Sequence, residues 1–178
     1  VSAEIEQICV SSNTLSYNDY LSCRSLHLII TLFNNDGIFS SLLKFFSMKK
    51  LSIWRWVEIL KGLKYGKDFQ EIVDQFTEAT RNELWENPNG LWDFVRKEGI
   101  VKKYIDGELG NNLLFTYKSM AIVKAVDDLS DLAHEASKKI LEENEMNSEE
   151  NVNFVAECVN YHRNSIKNIF FKIKQCKK

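Results

Sequence analysis

An all-α fold is predicted by three features of the 178-residue sequence. Apolar residues recur at spacings of three and four along most of the chain, the period at which side chains share one face of a helix. Only 7 glycines and one proline, Pro88, are present, too little turn chemistry for a sandwich or barrel. The hydrophobic share of 44%, beside 27% charged residues, is enough to bury a core. The expected architecture is an irregular bundle of short, aromatic-rich helices over residues 1–107, followed by a long antiparallel helical hairpin over 108–178 packed on it. The two parts are either separate units or one domain overall.

The first helix is announced by Ser16-Tyr17-Asn18-Asp19, in which Ser16 caps the free amides and Asp19 reaches back as a short capping-box acid. It continues through Leu21, Leu26, Ile30 and Phe33, and Gly37 ends it by accepting a left-handed backbone. Residues 38–47 predict a second, short helix. Ser52 caps a third, Ile53 to Leu60, on which Trp54 and Trp56 are two apart and so point in different directions. A fourth runs from Lys67 to about Trp85, with Phe69, Ile72, Val73 and Phe76 on its apolar side. Asn87-Pro88-Asn89-Gly90 then breaks the chain, and Pro88 suits the first turn of the next helix. Residues 100–105 are helix or a short extended piece. Beyond Gly107 and Gly110, where a boundary is expected, Leu113, Tyr117, Ala121, Ala125, Leu129, Leu132, Ala136 and Ile140 form the stripe of one long helix. Val152, Val155, Val159, His162, Ile166, Ile169 and Ile173 make a heptad-like seam on the last.

Several constellations point away from chemistry within the chain. Asp131 and His134 share a face of the long helix, near Asp127, Asp128 and Glu135, but no Glu-x-x-His is present and these acids fit a solvated face. Cys9, Cys23, Cys158 and Cys176 are too far apart in sequence for a metal cluster motif and read as free thiols. A phosphate-binding glycine loop, a nucleophile motif and HExxH are all lacking. Net charge −2 gives no bulk attraction to nucleic acid or anionic membrane, and no apolar run reaches the length of a membrane span. The expectation is a cytoplasmic protein with no catalytic residue and no metal ligand.

The residues with contact potential are Tyr20, Arg24 and His27, which share a helix face, and Trp54 and Trp92, aromatic anchors for another domain or a substrate. His162 sits in the final seam, where a polar residue fixes register or keeps a ring edge packed. From Arg163 onward the tail carries Lys167, Lys172, Lys174, Lys177 and Lys178 around Phe170 and Phe171. The helix dipole alone favours such cations at a C-terminus.

Thr14-Leu15-Ser16-Tyr17-Asn18-Asp19-Tyr20-Leu21, then Cys23-Arg24-Ser25-Leu26-His27-Leu28 and Phe33-Asn34-Asn35-Asp36-Gly37-Ile38-Phe39, resemble the region after the catalytic core in cobalamin-binding radical S-adenosylmethionine proteins. There a (T/S)-x-S-Y-x-D-Y-L segment precedes an apolar helix and an N-D-G-x-F turn. The resemblance implies a parent Fe–S oxidoreductase or methyltransferase-like enzyme with cobalamin, S-adenosylmethionine and a four-iron four-sulfur cluster held by CxxxCxxC cysteines. This sequence has no such cysteines, so no catalytic residue carries over. It implies a C-terminal accessory domain whose partner is the catalytic region of its own parent chain, covering the barrel or mediating assembly. The lack of an initiator Met fits a piece of a longer protein. The alternatives are a free-standing helical interaction module, dimerising through the hairpin, and a small-ligand-binding bundle.

Overall fold

The computed structural model describes the backbone of residues 7–176 and the side chains of 7–169. Among the described residues the protein is all-α. The helices are α1 (Tyr17–Ile30), α2 (Ser40–Met48), α3 (Ile53–Gly62), α4 (Lys67–Asn82), α5 (Pro88–Val95), α6 (Ile100–Ile105), α7 (Leu113–Lys124), α8 (Val126–Glu143) and α9 (Glu149–Cys176).

Local chemistry sets most boundaries. Ser16 Oγ accepts from the Asp19 amide, and the Asp19 carboxylate accepts from the Ser16 amide, so the predicted capping box is formed. Ser52 caps α3 through the Arg55 amide at 3.1 Å, and Pro88 opens α5 behind Asn87, which accepts from the Gly90 amide. At its far end α1 widens into a π-helical turn, Thr31–Asn35, closed by the Asp36 amide on the Thr31 carbonyl at 3.1 Å. Gly37 follows at φ +69°, and the chain departs into α2 at 81°. This double device turns a long apolar run back into the core.

Two boundaries differ from the sequence expectation in a way that shows their cause. The fourth helix stops at Asn82, short of Trp85, and the stripe from Leu113 to Ile140 is two helices broken at Ala125. Ala125 lies at φ −121°, ψ 24°. The break seats two small residues, Ala121 and Ala125, against the core, and places Asp127 and Asp128 in the first turn of α8, where they complement the helix dipole.

The core is built around aromatic rings. Phe33 stacks on Phe39 at 5.4 Å and meets Trp56 and Phe69 edge-on at 5.9 and 6.4 Å, with Phe46 edge-on to Trp56 at 5.3 Å. All five rings are buried. Trp56 lies inside and Trp54 outside, as their spacing requires. The α8–α9 hairpin closes over this core: α8 lies against α3 and α4, α9 against α2, and α7 against α4 and α1. Helices α5 and α6 pack on each other and contain no buried residue, forming an arm at the side of the bundle. Among the described residues no single helix is long and apolar enough to cross a membrane.

Candidate functional site

A cleft of about 890 Å³ lies where the arm meets the bundle. One wall is α1, from which Tyr20 and Arg24 project. The end of α4 and the link after it supply Asn82, Glu83 and Trp85, and the arm supplies Leu91, Phe94 and Tyr104. Residues Gln7, Ile8 and Val10 of the lead-in complete the rim. The volume lies in the range of small-molecule and peptide sites, and the lining has the usual character of such sites, aromatic and apolar with a few charges.

Arg24 is the electrostatic centre of this cleft. Its guanidinium lies 5.6 Å from the centroid of the Phe76 ring, and its Nε is buried with no hydrogen-bond partner. Glu83 is close enough to feel that charge, but burial dominates and holds its carboxyl above the ordinary carboxylate range, the guanidinium offsetting this only in part. Trp85 and Phe94 rings pack at 5.0 Å, joining the link to the arm. The cleft therefore has an aromatic and apolar lining, one stacked cation and two carboxyls, Glu83 and Glu86, of which Glu83 is of reduced acidity. It can hold a partly apolar partner with a polar edge, but it has no nucleophile paired with a base.

The structure separates the five contact candidates. Tyr20 and Arg24 share the cleft wall. His27 is exposed on α1 outside the cleft lining. Trp54 is 56% exposed on α3, its Nε1 donating to Glu58 at 3.0 Å. Trp92 is 38% exposed, with the Arg96 guanidinium 6.0 Å from its ring, and does not line the cleft. Asn82, Glu83 and Phe94 line it although nothing in the sequence marks them; the only signal was the Asn-Pro-Asn-Gly break, which folds the arm back toward α1.

The acidic face of α8 is largely solvated, as expected, and its acids bridge to neighbouring helices. Asp128 accepts from the Phe69 amide at 2.9 Å and so caps α4, whose N-cap residue, Gly66, has no side chain to do it. A Cβ at Gly66 would run into the Asp128 carboxylate. Asp127 pairs with Lys167 at 2.6 Å, and Asp131 with Arg163, tying α8 to α9. His162 is buried on the seam and accepts a 3.3 Å hydrogen bond at Nε2 from the Ser41 amide, joining α9 to α2, and burial lowers its pKa. No group of three or more metal-ligating side chains forms among the described residues. Cys9 and Cys23 are exposed free thiols, and burial raises the pKa of the buried Cys158 thiol. Cys176, Phe170, Phe171 and the lysines from 172 onward lie outside the described side chains.

No family model, curated protein or solved structure matches the chain.

Proposed function

We propose that the chain is the C-terminal helical accessory domain of a cobalamin-binding radical S-adenosylmethionine Fe–S oxidoreductase, cytoplasmic and non-catalytic alone, that docks on the catalytic region of its own parent chain. One observation carries the reading. Tyr20 and Arg24, both within the segment resembling that family, project into the same cleft, and the arm that forms its other wall buries none of its own apolar residues. An aromatic cleft with a stacked arginine at its centre is suited to covering a neighbouring barrel or shaping access to it, since buried aromatic and arginine anchors dominate protein contacts. In this reading the cluster, S-adenosylmethionine and cobalamin all belong to the parent. The chain supplies surface.

The second reading is a free-standing helical interaction module that dimerises through its hairpin. It is favoured by Phe154, Tyr161 and Ile169 of α9, which are 41%, 65% and 56% exposed. The two separate on the reading frame that encodes Val1. A CxxxCxxC encoded a few hundred residues upstream supports the accessory domain, and a start codon immediately before Val1 refutes it. Anaerobic reconstitution of the 178-residue chain with iron and sulfide tests the inert role. The expected spectrum has no cluster absorbance, and a stoichiometric cluster would overturn it.

A further inference from the structure

A second, smaller pocket of about 360 Å³ lies on another face, between α1, α3 and α4. Its floor is apolar, with Leu21 and Ile29 buried beneath it. Its rim is polar: Asn18 and Ser22 from α1, Lys61 from the last turn of α3, Tyr65 from the following loop, and Arg81 from the last turn of α4. No carboxylate lines it. Lys61 has no ion pair among the described residues, and the ion pair of Arg81 is a 3.5 Å contact with Glu78 on its own exposed helix surface. Such a contact is weak and easily exchanged. The floor is fixed by Ser25 Oγ and Thr77 Oγ1, 3.2 Å apart, which tie α1 to α4. Thr77 also donates to the Val73 carbonyl at 2.8 Å.

We propose that this pocket binds a phosphate monoester. Two cations placed at one concavity, one unpaired among the described residues and the other held only by an exposed 3.5 Å contact, favour a dianion, which accepts several charge-assisted hydrogen bonds from them. The guanidinium offers a planar fork that matches two phosphate oxygens, and the ammonium acts as a point charge on the third. Asn18, Ser22 and the Tyr65 hydroxyl supply neutral donors around them. The Tyr65 phenol, ordinarily protonated at neutral pH and pushed further up by burial, is a neutral donor there. The apolar floor is the place for the carbon-bearing side of the ester. This site is separate from the Arg24 cleft and stands whether or not the chain is an accessory domain.

The test is titration of the isotope-labelled 178-residue chain, at constant ionic strength, with inorganic phosphate, phenyl phosphate, a phosphoserine peptide and vesicles containing phosphatidic acid. Saturable amide shifts confined to Asn18, Ser22, Lys61, Tyr65 and Arg81 are expected. Binding should weaken about tenfold in Lys61→Ala and in Arg81→Ala, the loss of one charge-assisted hydrogen bond each. It should be unchanged in Lys49→Ala, a cation directly after α2 and outside the pocket lining. The tightest arm identifies the source as free ester, phosphorylated polypeptide or lipid headgroup. Shifts that sodium chloride reproduces, shifts equal in all three variants, or no saturation with any probe would overturn the proposal. Both substituted side chains are exposed, so their loss leaves the fold intact for the comparison.

Discussion

Asp128, Gly66, His162 and Phe33 each hold two elements together, and each gives a direct measurement. Asp128→Ala removes the side-chain cap at the start of α4, so the chain should lose about 1 kcal/mol in urea unfolding. Gly66→Ala should destabilise by at least as much, because its new Cβ occupies the place of the Asp128 carboxylate. A Gly66→Ala variant as stable as the parent would contradict the cap. Phe33→Ala empties the centre of the ring cluster and should cost about 3–5 kcal/mol, enough to unfold a marginal domain. His162 is held below its ordinary 6.5 by burial, and its neutral Nε2 accepts from Ser41. As pH falls through 6.5 the unfolded chain takes up a proton that the folded chain resists. Stability is therefore full above that pH and is lost below it, at no more than about 1.4 kcal/mol per pH unit. His162→Gln should flatten this slope relative to the parent chain; identical slopes would show that His162 does not carry it.

Among the elements, those with strong local signals were legible and those set by tertiary partners were not. Ser16, Ser52 and Pro88 marked helix starts because their chemistry acts within one turn. The π-helical turn after Ile30 was hidden, since Leu32 and Phe33 within it continue the apolar run of α1. The break at Ala125 was hidden as well, because the three-and-four spacing carries through it; the acidic pair Asp127-Asp128 was the trace it left. The cap on α4 is supplied from 59 residues away, beyond any local pattern. The cleft was half legible for the same reason: Tyr20 and Arg24 share a helix face, whereas Glu83 and Phe94 reach it through the fold. The arm made by α5 and α6 has no buried side chain to slow its opening. Its amides should exchange about 100-fold faster than those of α3 and α8, an opening free energy lower by about 2.7 kcal/mol. Equal protection across these helices would mean that the arm is held by the bundle.

The whole molecule is a helical bundle with a closed aromatic core, an acidic helix face that bridges to neighbouring helices, and an arm that leaves an arginine-centred cleft facing outward. Several of its ionisable groups are engaged in a cap, in ion pairs and in two separate concavities, which supports the proposed role as a surface for another polypeptide. The most direct measurement is titration of the isotope-labelled chain with the catalytic region of its proposed parent chain. Perturbation centred on Tyr20, Arg24, Trp85 and Phe94, weakened in Arg24→Ala, is the predicted result. Perturbation confined to Trp54 and the opposite face of α3, or none at all, would contradict it.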